Sequence, residues 1–124
     1  MKVAWAYKRL KVYEESKSLV LDVYKLLKTF PKEENYALCD QMRRAAVSVP
    51  SNIAEGMCRI SDKEKMRFVE FSFGSLMELD CQFEIAKELS YISESEYIEI
   101  ERKISALAKM LSGLRKTLLN NSQQ

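Results

Sequence analysis

A proline stands in the middle of a helical pattern that continues on both sides of it. In the run QMRRAAVSVPSNIAEGMCR, residues 41 to 59, Leu38, Met42, Ala45, Val49, Ile53 and Met57 recur at three- and four-residue steps and share one helix face. Gln41, Arg44, Ser48, Asn52, Glu55 and Arg59 form a parallel polar stripe. Pro50 removes the N–H that would bond the Ala46 carbonyl, and its ring crowds the same turn. A helix carrying it is expected to bend here, at a cost of about 3 kcal/mol. Such a helix persists only where packing compensates.

Three glycines and two prolines in 124 residues favour long helices with short turns. The first helix is expected from about Val12 to Thr29, burying Leu19, Val23, Leu26 and Phe30, with Phe30-Pro31 ending it. The second runs from about Glu34 to Arg59. Ser61-Asp62-Lys63-Glu64 supplies an N-cap and the Glu of a capping box for the third, which reaches about Ser90. Ser93-Glu94-Ser95-Glu96 repeats the device before the fourth, where Tyr97, Ile100, Ile104, Leu107, Leu111, Leu114 and Leu118 keep helical spacing. Residues 1 to 11 read as an irregular lead-in and 120 to 124 as a frayed tail. Short connections leave no chain for crossovers, so the expected fold is all-α: one domain, residues 1 to 124, an antiparallel up-down-up-down four-helix bundle bent at Pro50. The third helix holds Phe68, Phe71, Phe73 and Phe83 with Val69, Leu76, Met77, Leu79 and Ile85. At about 100° per residue these cannot all face one core. Either another subunit covers some of them, with Phe71, Phe73 and Leu76 as candidate interface residues, or this helix is the most central of a monomer.

RRAAVSVPSNIAEG, followed by FGSLMELDCQFEIAKEL (residues 73 to 89), resembles the four-helix-bundle family encoded within intervening sequences of bacterial 23S ribosomal RNA genes. The similarity extends from about Leu10 to Leu118 and includes YKRLKVYEESKSLVLDVYKLLKTFP. It implies an antiparallel four-helix bundle, a ring-like homo-oligomer of five subunits and a connection with RNA, and it implies no catalytic residues. The chain departs from the family pattern in carrying Phe71 and Phe73 where smaller or aliphatic residues are usual before Gly74-Ser75.

Twenty basic and eighteen acidic residues give a net charge of only +2, which by itself does not mark a nucleic-acid binder. The distribution says more. Residues 1 to 32 hold eight basic and three acidic side chains, and residues 33 to 67 six of each. Residues 68 to 101 hold one basic and nine acidic, and residues 102 to 124 five basic and no acidic. On an antiparallel bundle, Lys2, Lys8, Arg9, Lys11, Arg59, Lys63, Lys65, Arg67, Arg115 and Lys116 collect at one end. Glu33, Glu34, Glu84, Glu88, Glu94, Glu96, Glu99 and Glu101 collect at the other. Repeated around a ring, the basic end suits phosphate contacts, although charge runs are also simply solvated faces. Mid-helix Arg43 is expected to face solvent or a ligand. Arg44, Ser48, Asn52 and Glu55 form a candidate structural network, with Arg44 pairing Glu55 directly or across subunits, and Asn52 and Glu55 satisfying backbone groups loosened by Pro50. Basic and aromatic residues do not alternate, so a base-stacking signature is missing.

The absence of histidine removes the Glu-x-x-His di-iron motif, the zinc helix motif and His-based acid–base catalysis. Gly56 and Gly74 are isolated and make no phosphate loop; Gly74 is the one expected to permit close helix approach. Glu78 and Asp80, two apart, lie on different helix faces. Cys39, Cys58 and Cys81 have neither redox nor metal-ligand spacing and read as small apolar residues. With no apolar run of membrane-spanning length and no secretory pattern at the amino terminus, the chain reads as cytoplasmic. The expectation is a non-enzymatic homo-oligomer that associates with RNA, without cofactor, metal, membrane or small-molecule substrate. The alternative is a protein–protein scaffold that binds no nucleic acid.

Overall fold

The computed structural model describes residues 5–123, so Lys2 lies outside the described residues. Four α-helices carry the chain: α1 Lys11–Leu27, α2 Leu38–Met57, α3 Asp62–Glu88 and α4 Glu94–Ser122, with single 3-10 turns at Ala6–Arg9 and Lys32–Glu34. There is no strand among the described residues. α1 packs on α2 and α4, and α3 packs on α2 and α4. Partner numbers rise on one helix as they fall on the other: Ser72 and Ser75 meet Val49 and Ser48, Glu70 and Lys87 meet Arg115 and Glu94, and along the α1–α4 groove Leu26 lies with Ser95 and Glu99 whereas Glu15 lies with Met110. These seams are therefore antiparallel.

The helix ends follow local chemistry. Ser93 Oγ accepts from the Glu96 N–H at 3.1 Å while Glu96 Oε1 accepts from the Ser93 N–H at 2.9 Å, a complete capping box for α4. At α3 only half of the expected box forms. Ser61 Oγ accepts from the Glu64 N–H at 3.1 Å, but the Glu64 carboxylate turns to Arg67, 3.8 Å away. α3 closes with Ser90 in the left-handed region at φ 62° and the Tyr91 N–H bonded to the Ala86 carbonyl at 2.9 Å. α4 continues through Ser122, beyond the expected boundary at Asn120.

α2 begins later than the periodicity suggests. The chain around Glu34 makes a 3-10 turn, and Ala37 precedes α2 without a side-chain cap. Arg43 closes this gap by donating from Nη2 to the Asn35 carbonyl at 2.7 Å. This bond lies at the surface, so Arg43 ties the connection to the first turns of α2 while still lining an open groove with Tyr24, Asp40 and Arg44.

α2 runs through a buried Pro50 to Met57. The residues that seal the bundle, including Val23, Met42, Val49, Ile53, Leu76, Leu79, Phe83 and Leu111, are fully buried, and each large one contributes about 1.5 to 3 kcal/mol. Leu26 is only half-buried, and Leu27 takes the deeper position. Leu76 was a candidate interface residue; with no exposed surface it belongs to the subunit core, because its place on α3 points between α2 and α4. Phe73 is half-buried against the same core, whereas Phe71 is 45% exposed.

The glycine that permits close approach is Gly56, not Gly74. A Cβ on Gly56 would lie 2.4 Å from the Phe68 Cβ, so α2 and α3 touch through bare backbone there; Gly74 has open space around it.

Candidate nucleic-acid interface

The antiparallel seams bring the start of α1, the end of α2, the start of α3 and the end of α4 to one end of the bundle, and Lys8, Arg9, Lys11, Arg59, Lys63, Lys65, Arg67, Arg115 and Lys116 lie there. Four of them are engaged within the subunit. Arg115 Nε donates to Glu70 at 2.9 Å, Arg59 reaches Glu55 at 3.2 Å, Arg67 reaches Glu64 at 3.8 Å and Lys65 reaches Asp62 at 3.9 Å. Exposed pairs of this kind contribute at most about 1 kcal/mol, so a phosphate can compete for these cations. Lys8, Arg9, Lys11, Lys63 and Lys116 are exposed and make no ion pair among the described residues.

Aromatic rings stand among these cations. The Arg59 guanidinium lies over the Phe68 ring at 4.7 Å and that of Arg67 over Phe71 at 5.4 Å, while the two rings meet edge to face at 5.5 Å. The α2–α3 turn folds Arg59 back onto Phe68, nine positions along the chain, which linear alternation does not register.

A second polar group lies midway along the α2–α3 seam. Asn52 Nδ2 donates to the Ser48 carbonyl and Ser48 Oγ, both at 2.9 Å, and Ser75 Oγ donates to Ser48 Oγ at 2.9 Å. Buried Ser72 donates to the Val49 carbonyl at 2.8 Å. Side chains do gather around Pro50, but on the carbonyls of Ser48 and Val49 instead of that of Ala46. Arg44 and Glu55 stand outside the group: Arg44 pairs with Asp40 at 2.6 Å and Glu55 with Arg59. Eleven residues of helix separate them by about 16 Å, too far for the expected direct pair. Ser72 and Ser75 were missed because a serine on an apolar helix carries no signal until its partner helix is in place.

Residues 8–113 match the model of the 23S rRNA-intervening sequence protein family. The chain belongs to this family. A crystal structure of a protein of unknown function from the S23 ribosomal protein family of Bacteroides thetaiotaomicron is similar, with a TM-score of 0.79 at 20% identity over 85% of this chain and 95% of that one. At that identity the likeness concerns the fold. Among curated proteins none matches.

In this family member the α3–α4 seam carries carboxyls on both helices. The Asp80 and Glu101 carboxyls meet across that seam, and one oxygen of each, Asp80 Oδ1 and Glu101 Oε2, is sealed from solvent without a protein donor. The hydrogen bond that a protonated Glu101 donates to Asp80, followed by desolvation and the charges of Asp80 and Glu84, pushes the Glu101 carboxyl up to about 7. Glu101 therefore keeps its proton well above the ordinary carboxylate range. Tyr97, beside them, is raised by desolvation and then by Glu101, Asp80, Glu84 and Glu94. Tyr91 is raised first by its 2.7 Å hydrogen bond to Glu34. The cysteines are free: burial pushes the Cys39 thiol up, and Cys58 and Cys81 are exposed. No helix among the described residues is long and apolar enough to cross a membrane.

Proposed function

We propose that this family member is a non-enzymatic homo-oligomer, a ring of five subunits, that holds RNA through its basic end in the cytoplasm, with no cofactor or small-molecule substrate. The observation that carries the RNA reading is convergence: cations from the lead-in, the α2–α3 turn and the end of α4 share one end of the bundle, where they outnumber the carboxylates Glu55, Asp62, Glu64 and Glu70 that pair with four of them. Such a surface attracts a polyanion without needing a strongly basic chain. The five-subunit ring follows the family resemblance, and the partly exposed apolar residues Met77 and Ile85 of α3 favour self-association.

The test pairs sedimentation at micromolar concentration with RNA binding over a salt series. Wild-type protein is expected to sediment as an oligomer and to lose RNA affinity steeply with salt. Replacing Lys8, Lys63 and Lys116 with Gln should flatten that slope by about one unit per lost phosphate contact without changing helical content. A monomer ends the oligomer reading. An oligomer that binds no structured or ribosomal RNA at low salt leaves the second reading, a protein–protein scaffold, which the exposed apolar residues of α3 favour.

A further inference from the structure

We infer that the Arg59–Phe68–Phe71–Arg67 ladder is a stacking platform for unpaired nucleobases, so that the basic end takes single-stranded RNA in preference to duplex. This rests on the RNA-binding reading and adds to it a partner class that charge alone does not specify. Phosphate contacts do not distinguish a single strand from a duplex by base exposure; an accessible aromatic face does, because only unpaired bases can cover it. Phe71 offers such a face, 45% exposed at the basic end. The guanidinium of Arg67 over its ring extends the planar surface with a second group on which bases stack. Phe68 and Arg59 continue the ladder toward the α2–α3 turn, where Ile60 is fully exposed.

The neighbourhood fits the same partner. Lys63, Arg67, Phe71 and Gly74 recur at four-, four- and three-residue steps and lie along one stripe of α3. A base on Phe71 therefore has an exposed ammonium within about 12 Å along the helix to receive its backbone. Gly74, one turn further, leaves open space on the same face. Glu64 and Glu70 pair with Arg67 and Arg115 beside the ring, and these exposed pairs are weak enough for a phosphate to compete with them.

The experiment uses the full chain with two fluorescein-labelled probes at one salt concentration, a ten-nucleotide adenine homopolymer and a ten-base-pair RNA duplex. Wild-type protein should bind the single strand more tightly. Phe71→Ala should weaken single-strand binding about 5- to 100-fold, leave duplex binding within about 2-fold, and leave its salt slope unchanged. Phe71→Trp should restore it. Gly74→Leu, whose Cβ has no neighbour within 4 Å, should produce the same selective loss by filling the open space. Equal loss on both probes, or no loss while RNA still binds with a steep salt slope, overturns the stacking platform and leaves the basic-end reading intact. Dissociation of the oligomer by Phe71→Ala overturns it in favour of a subunit contact. Wild-type protein that binds neither probe removes both readings together.

Discussion

α3 lies between two seams that handle polar groups in opposite ways. Toward α2 the groups are small and neutral, and each polar side chain finds an oxygen: Ser72 donates to the Val49 carbonyl, Asn52 to the Ser48 carbonyl, Ser75 to Ser48 Oγ. Gly56 lets the backbones close until Phe68 touches α2 directly. Toward α4 two carboxyls, Asp80 and Glu101, face each other, with oxygens sealed from water and no cation reaching between them. Neutral donors on backbone acceptors satisfy buried groups at any ordinary pH, whereas two acids in contact are satisfied only while one retains a proton. The α2–α3 seam should accordingly be limited by sterics and the α3–α4 seam by titration.

The largest effect is expected from Gly56→Ala. The near atom is the Phe68 Cβ, which no rotamer change can withdraw, so the helices must separate to admit a methyl group. Overpacking of this kind costs about 1 to 3 kcal/mol, and a forced separation of helices lies at or above the top of that range; alanine's better helix propensity returns about 1 kcal/mol. A net loss of about 2 kcal/mol should lower the urea midpoint with little change in m. A variant as stable as wild type would mean that the close approach is incidental, and the contrast between the seams would lose its steric half.

Ser72→Ala comes next. It removes one buried hydrogen bond while leaving the Val49 carbonyl in its helical register, so the expected cost is about 1 kcal/mol, read from the same denaturation curves. A cost above about 3 kcal/mol would instead indicate that this serine is the principal compensation for Pro50.

What the chain disclosed in advance follows from the range of the interactions involved. The cap at Ser93, the apolar stripes of α2 and α4, and the short connections are local in sequence, and periodicity and capping rules resolve them. The gathering of cations at one end needed only helix order and direction. Several of the misreadings involve a second helix. Gly56 and Gly74 are equivalent in one dimension, and only the arrival of Phe68 separates them. Arg44 and Glu55 share a stripe yet are too far apart, since a common face says nothing of axial distance. Leu76 and Phe71 looked alike as surplus apolar residues until packing sent one to the core and the other to solvent. The Asp80–Glu101 contact joins residues that sequence spacing gave no reason to pair.

The smallest effect, and the one that tests the titrating seam, is a dependence of stability on pH. The Glu101 carboxyl is raised in the folded protein to about 7, from an ordinary 4.5. A raised carboxyl contributes its full stability below the unfolded value, where it is protonated in both states, and loses it as pH climbs through the folded value. Stability should thus decline from about pH 5 to pH 8. Both side chains keep part of their surface in water, which screens the repulsion, so the loss should stay below about 1 kcal/mol, or about 4 °C in melting temperature. The other groups around the pair do not reverse this sign: Glu84 is a further acid, the Glu94 charge is met by Lys87 at 3.2 Å, and Tyr97 titrates above the window. Glu101→Gln supplies a permanent donor to Asp80, so it should melt higher than wild type at pH 8 and remain level across the window. Ser72→Ala, acting on the other seam, should melt lower throughout and retain the wild-type slope. If Glu101→Gln keeps that slope, the proton is not held between these carboxyls, and the two seams differ in shape without differing in their response to pH.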